Sequence, residues 1–516
     1  MSNIRVLWAD DEINHLKAHI MFLERKGYSI TAVSNGHDAV DYCKEESFDV
    51  VFLDESMPGI TGLETLTKIK AINANLPVVM ITKNEAETIM EEAIGAQITD
   101  YLIKPVNPNQ ILLTLKKIID NKRLVRESTA HAFQQDFRRL FTQIQMGLDH
   151  EEWVELYKNL VDWELKLNEA DNTEMKNVLA MQKSEANNEF SKFVENNYLD
   201  WVDARGDAPT MSHNLLHRKV FPHLKEDATN FLVVIDNLRW DQWKVLQPII
   251  AEEFRFVEDD AYYSILPTST QYSRNAIFAG LMPSEIARRY PHLWKNDIDE
   301  GGKNLHEADF LEEHLKRTRN NMRFSYTKVT NHRNGRNLVD NIHNLMQNKL
   351  NVIVYNFVDM LSHARTEMEV LKELASDEAA YRSLTRSWFI HSPLWEALKR
   401  ISDKKVNLIF TTDHGTIRVN QPSKVIGDRN TTTNLRYKHG RNLQYKRRDV
   451  LEVRKPIMAG LPRPHVSSTF IFAKADTFFV YPNNYNHYVN YFKNTFQHGG
   501  ISLEEVIVPV ARFTSK

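Results

Sequence analysis

Residues 231–236 read FLVVID, five apolar residues closed by a carboxylate. A short run this rich in β-branched residues predicts a strand buried on both faces. In an α/β sheet, the residues just past the carboxyl end of such a strand are the ones that meet ligands. The same form recurs at 351–359 (NVIVYNFVD), 406–415 (VNLIFTTDHG) and 504–513 (EEVIVPVARF). Together these runs predict a large α/β domain over 206–516, entered through the turn-forming GDAP at 206–209.

Towards the N-terminus the apolar runs are IRVLWA (4–9), YSITAV (28–33), DVVFLD (49–54), PVVMIT (77–82) and DYLIK (100–104), with amphipathic stretches between them. That alternation predicts a parallel five-stranded α/β domain over 1–121. Between the two domains, residues 110–205 hold one glycine, Gly147, and no proline, with charged and apolar residues at helical spacing. A helical bundle over 122–205 follows, with Trp153, Leu160 and Trp163 as core contacts. No basic cluster marks it as a DNA-reading module.

The composition, 42% hydrophobic and 26% charged over 516 residues, is that of a globular protein of two or three domains. A net charge of −3 gives no global attraction to nucleic acid or anionic membrane. The single cysteine, Cys43, excludes an internal disulfide framework and is expected to fill space in a helix. Neither a secretory leader nor a membrane-length apolar run is evident, so a cytoplasmic location without membrane insertion is expected.

Two groups of polar residues sit where strands end. In the N-terminal domain Asp10 and Asp11 follow the first strand and Asp54 the third, which makes an oxygen-lined pocket suited to Mg²⁺. Asp54 is then the nucleophile for a phosphoryl group, Lys104 neutralises the charge that builds up, Thr82 bonds the new phosphate, and Tyr101 changes rotamer with it. In the C-terminal domain the corresponding residues are Asp236, Thr270, Asp359, His363, Asp413, His414 and His498, with Arg239 and Arg274 nearby.

Aspartate and histidine suit zinc. Asp359 and His363 are four apart and share a face if the segment is helical, and His498 is followed by glycines that let the backbone approach closely. Two cations about 3.5–4 Å apart activate a hydroxyl and screen phosphate charge, which makes Thr270 the natural nucleophile. Taken singly, each residue also has a plain structural use, Thr270 as the N-cap of the apolar NAIFAGL for instance. Between Arg418 and Lys455 stand eleven Lys or Arg against three acids, a stretch placed to overhang the site as a cationic lid. Tyr437 and Tyr445 lie within it as stacking surfaces for a nucleotide chain.

WADDE (8–12), LDESMPG (53–59), ITK (81–83) and LIKP (102–105) resemble the response-regulator receiver domain, which has a flavodoxin-like fold. The resemblance implies Asp54 as phosphoacceptor from a histidine kinase and Mg²⁺ held by Asp10, Asp11, Asp54 and the Glu55 carbonyl. It also implies Thr82 and Tyr101 as a switch pair, Lys104 as the phosphate contact, and dimerisation on phosphorylation.

VVIDNLR (233–239), LPTSTQYSRNAIFAGL (266–281), VDMLSHAR (358–365), TTDHGT (411–416) and HGGISLEEVIVP (498–509) resemble the PglZ branch of the alkaline phosphatase superfamily. By that likeness Asp236, Thr270, Asp413 and His414 hold one Zn²⁺, Asp359, His363 and His498 the other, and Arg274 or Asn275 touches the substrate phosphate. The arrangement as a whole is similar to a family of response regulators tied to the type IX secretion system.

A phosphodiesterase of nucleotides or oligonucleotides is the expected activity. A diester needs only one charge compensated, and no extra cationic group for a dianionic terminal phosphate stands near Thr270. The competing expectation is a non-catalytic regulator acting by contact, with a sigma factor or a secretion-system component as partner.

Overall fold

The computed structural model describes residues 4–73, 75–83, 98–205, 207–297, 299–320, 322–360, 377–428, 431–463 and 465–516. The chain forms two compact units, residues 1–131 and 132–516.

In the first unit β1 (Ile4–Ala9), β2 (Tyr28–Val33), β3 (Val50–Asp54), β4 (Val78–Thr82) and β5 (Asp100–Ile103) form a parallel sheet in the order β2-β1-β3-β4-β5, the flavodoxin-like arrangement. Alternate residues feed two cores. Leu7, Val51 and Leu53 pack with Ala39 and Leu66 on one face, while Trp8, Val50 and Phe52 pack with Leu23, Ile111 and Leu115 on the other. Cys43 is half-buried on the helix Gly36–Glu45 and packs against the first core, as a space-filler would. The register sets Asp54 opposite Ile81, so Asp10, Asp54, Thr82 and Lys104 all lie at the carboxyl edge.

The domain boundary expected at 121 falls inside one continuous helix, Pro108–Gln145. With no glycine or proline between them, residues 109–145 contain nothing to stop it.

The helices His150–Glu169 and Thr173–Val202 lie in the helical segment expected over 122–205 and belong to the same compact unit as the C-terminal domain. Their buried Trp153, Phe190 and Trp201 share one core with Tyr263, Leu266 and Tyr272 of the C-terminal domain. Polar ties join the same parts: Tyr198 Oη accepts from Leu266 N–H (2.8 Å), and Asn187 bonds Glu504 (3.0 Å) and Leu503 N–H (2.8 Å). Charges extend the joint. Glu164 pairs with Lys183 (2.8 Å) and Arg382, Arg382 with Asp241 (2.9 Å), and Asp241 with Arg239.

The C-terminal domain centres on a six-stranded sheet of order β7-β18-β10-β6-β9-β8. In it β8 (Phe324–Val329), β9 (Leu350–Tyr355), β6 (Thr229–Ile235) and β10 (Val406–Thr411) are parallel, with β18 (Ile507–Ser515) and β7 (Phe254–Tyr263) antiparallel at one side. Ile235 registers with Tyr355 and Val234 with Thr411, so three adjacent strands end level.

Between β10 and β18 the chain adds small sheets. β11 (Ile417–Arg418) pairs with β17 (Phe496–Gln497), β12 (Gln421–Lys424) with β16 (Thr477–Val480), and β13 (Tyr437–Gly440) and β14 (Val450–Val453) flank β15 (Thr469–Ala473). Among the described residues no helix is long and apolar enough to cross a membrane.

Candidate functional site

At the carboxyl edge of the larger sheet, Asp236 follows β6, Asp413 and His414 follow β10, and Asp359 lies past β9. The turn after β6 is sharp. Asn237 takes a left-handed conformation (φ 64°), which asparagine tolerates, and its N–H donates to Asp413 Oδ1 (3.2 Å) while Leu238 N–H donates to Thr412 Oγ1 (2.9 Å). Gly415 permits the next contact, since a Cβ there would meet Glu504 O at 2.0 Å.

Asp236, Asp413 and His414 are all fully buried, and each offers a ligand atom within 4.8 Å of the others. Asp413 Oδ2 is buried with no hydrogen-bond donor. His414 Nδ1 lies 3.0 Å from Gly415 O, which fixes the proton there and leaves Nε2 as an acceptor. Thr270 is the first residue of the helix Thr270–Ala279, not its N-cap, and its hydroxyl reaches His414 Nε2 (3.1 Å) and Asp236 Oδ1 (3.3 Å).

His498 stacks on His414 (ring centroids 4.4 Å apart) and its Nε2 is 3.8 Å from Asp359 Oδ1. The glycines after it allow this approach: Gly499 has φ +119°, and a Cβ on Gly500 would meet Ala473 O at 2.6 Å. The structure thus gathers Asp236, Thr270, Asp359, Asp413, His414 and His498. His363 lies outside the described residues.

The electrostatics call for a cation. Burial lifts the Asp236 carboxyl well above the usual range against the pull of Arg274, and Asp413 and Asp359 lift it further. Asp413 is raised by burial too, and burial holds His414 below the ordinary histidine value. Buried carboxylates with too little compensating charge, a neutral imidazole and an orphaned oxygen fit a divalent metal.

Arg274 and Asn275 are placed differently from expectation. Arg274 bonds Asp236 Oδ2 (2.7 Å) and Glu307, and lies 3.7 Å from Asp413. Its guanidinium thus steadies the ligand carboxylates from behind. Asn275 donates to Gln271 O and Lys303 O and accepts from Asn304, whose amide also donates to Thr270 O (3.0 Å). Asn275 thus supports, through Asn304, the backbone of Thr270. Arg239 points away, to Asp241 and Glu378.

Glu307 and Asn304 went unnoticed in the sequence. Glu307 is buried, yet Arg274, Lys328 and the Tyr326 hydroxyl outweigh that burial and hold it ionised. In HEADFLEEHL it reads like any solvated helix acid.

Part of the cationic stretch is built into small sheets. Its middle is built into β12, β13 and β14, with Arg436 buried on Glu505 (2.6 Å) and Lys438 buried on Thr432 O, its ammonium pushed down to about 7 by burial. Tyr437 is buried with its hydroxyl on Asp297 (3.1 Å), and Tyr445 is half-buried against Leu443 and Val450, so Tyr437 offers no stacking face and Tyr445 little of one. A chain pairing these strands must bring Arg436 inside, and its partner stands 69 residues away.

In the first unit, Asp10, Asp11 and Asp54 offer oxygens within 4.8 Å of one another, with Asp11 exposed. Lys104 Nζ lies 3.0 Å from both Asp10 and Asp54. Burial raises Asp54 to about 6 against the pull of Lys104, with Asp10 and Asp11 adding to the rise. Thr82 donates to the Glu55 carboxylate, the Glu55 carbonyl accepts from Gly62 N–H (2.9 Å), and Tyr101 is exposed.

Comparison with known proteins agrees with this geometry. The family model for the BREX system PglZ alkaline phosphatase-like domain matches residues 215–513, that for the PorX response regulator linker domain 123–202, and that for the response regulator receiver domain 6–116. The transcriptional regulatory protein ZraR of Salmonella typhimurium is 33% identical over 120 residues, 23% of this chain and 27% of that one. ResD of Bacillus subtilis is 31% identical over 115 residues, 22% of this chain and 48% of its own. The chain thus spans half or less of these relatives.

A CheY-like receiver domain protein from Methanospirillum hungatei is similar to 23% of this chain over 96% of its own length, at 25% identity and a TM-score of 0.23. A receiver implies a cognate histidine kinase, and an alkaline phosphatase-like domain implies a hydrolase of phosphoesterase type; both domain types typically bind divalent metals. The chain belongs to the PglZ alkaline phosphatase-like family and, with its receiver and linker, is a PorX-type response regulator.

Proposed function

We propose that this chain receives a phosphoryl group on Asp54 from a histidine kinase and that its C-terminal domain hydrolyses phosphodiesters of nucleotides or oligonucleotides. The observation that carries the reading is the Thr270 hydroxyl, set between Asp236 and His414 at the mouth of a buried carboxylate cluster. In this reading Asp236, Thr270, Asp413 and His414 hold one Zn²⁺ and Asp359, His363 and His498 a second, while Asp10, Asp11, Asp54 and Glu55 hold Mg²⁺. Bound metals would lower the pKa of the hydroxyl and stabilise the leaving oxygen.

The chain's own residues do the rest. His414 is held by Gly415 O with Nε2 turned toward the Thr270 hydroxyl, Asn304 fixes the Thr270 carbonyl, and Arg274, held by Glu307, keeps Asp236 aimed. The nearby cations Arg274 and Lys328 are both committed to carboxylates, which leaves neither for a dianionic terminal phosphate and favours the diester. Phosphorylation drives a homodimer, with Thr82, Tyr101 and Lys104 as the switch, in a cytoplasmic protein that regulates type IX secretion.

The test is turnover of bis-p-nitrophenyl phosphate against the monoester by zinc-loaded protein. Diester turnover that Thr270→Val lowers by on the order of 10³-fold or more supports the reading. Zinc bound with no turnover of either ester turns the assignment to a contact regulator of a sigma factor or secretion component.

A further inference from the structure

The stacking surface expected at Tyr437 and Tyr445 exists elsewhere. Residues 477–503 contain no aspartate or glutamate at all, and within them the helix Tyr485–Phe492 reads YNHYVNYF and buries none of its residues fully. Tyr485, Val489 and Phe492 anchor it on Ile417, Val419, Phe478 and Val480. Beside this anchored face stand Tyr488, stacked on Phe492 (6.1 Å), and Tyr491, edge-on to Phe492 (4.9 Å), 40% and 38% exposed, with the His487 ring nearly parallel to that of Tyr491 (20°, centroids 6.3 Å apart). Exposed aromatics on a short surface helix forgo the burial that usually holds such rings inside.

The helix is continuous with the candidate metal site. After exposed Lys493 the chain enters β17, pairs Phe496 and Gln497 with Arg418 and Ile417, and reaches His498. Phe492 and His498 are six positions apart, a span of at most about 20 Å. Beside the helix, exposed Lys424 registers with Val480 on β16, and the buried Nε of Arg418 has no hydrogen-bond acceptor. Cations and flat rings on a stretch of chain without acids are what a single-stranded polyanion with π-faces requires.

We propose that the Tyr488–Tyr491 face is a base-stacking platform for single-stranded oligonucleotide, holding a nucleotide several positions from the phosphodiester presented to Thr270. This rests on the diesterase reading for its purpose, though the binding can be measured without it. The platform makes affinity depend on chain length: a dinucleotide reaches the metal site alone, and a 10-mer reaches both.

The experiment measures fluorescence anisotropy of a labelled adenylate 10-mer and of a labelled dinucleotide on the full chain carrying Thr270→Val. Wild-type Tyr488 and Tyr491 should give a tenfold or larger preference for the 10-mer, Tyr488→Ala with Tyr491→Ala should abolish it, and the paired Phe variants should restore it. An unchanged preference in the Ala pair overturns the platform. So does loss of both oligomers together, which marks a folding role, and so does a 10-mer that binds no better than the dinucleotide, which leaves the face to a protein. Failure of wild-type protein to hydrolyse bis-p-nitrophenyl phosphate overturns the diesterase reading alone.

Discussion

The receiver pocket and the C-terminal cluster are built from the same material, three ligand-bearing side chains past the ends of parallel strands, yet they handle charge in opposite ways. In the receiver Asp11 is exposed and Lys104 touches both of the other carboxylates, so one cation partly offsets three acids in a pocket open on its Asp11 side. In the C-terminal cluster all three residues are buried, and Arg274 reaches Asp236 closely and Asp413 only at 3.7 Å. The difference teaches how access and compensation go together: the first pocket keeps one carboxylate in solvent, while the second is closed and short of positive charge.

The comparison breaks first at Arg274. Arg274→Gln leaves buried Asp236 without a close counter-ion and Glu307 with Lys328 alone, and a loss of about 3–5 kcal/mol of stability in metal-free protein is expected from denaturant titration. Lys104→Gln, beside solvent, should cost about 1 kcal/mol or less. Equal losses would erase the contrast.

Next in size is Glu164→Gln, which takes the carboxylate from Lys183 and Arg382 and should destabilise residues 132–516 by about 2–3 kcal/mol while the receiver's transition stays in place. Calorimetry reads both. Chelation should then lower the melting temperature of the second unit only, by several degrees, with zinc restoring it.

The smallest effect is in pH. Burial favours neutral Asp54, so its contribution to stability is present at low pH and fades as pH rises through about 6; the acceptor carboxylate, and with it phosphorylation by acetyl phosphate, is lost below about pH 6 in the absence of metal. Mg²⁺ should move that titration down, visible by carbon NMR of Asp54, and no movement would place the metal elsewhere.

What was legible in the sequence was what a strand encodes locally. FLVVID, VNLIFTTDHG and DVVFLD each carry their buried run and terminal ligand within ten residues, so the sheets, Asp54, Asp236, Asp413 and His414 could be named from them. Contacts made at long range were not. Glu307 is 33 residues from Arg274, and Glu505 is 69 from Arg436, so neither buried pair leaves a local trace. The boundary expected near 121 is marked by no break in the chain, because one helix, Pro108–Gln145, runs through it.

The joint between the helices at 150–202 and the sheet bears on how such chains can be recombined. Glu164, Lys183 and Asn187 meet Arg382, Asp241 and Glu504 in surroundings where a missing partner strands a charge. A foreign helical segment spliced before this domain would have to arrive with matching acids and bases already in place. The first unit is compact within residues 1–131, with two cores of its own. An exchange that keeps the helices at 150–202 with the sheet they pack on keeps these pairs whole, and one that parts them breaks several at once.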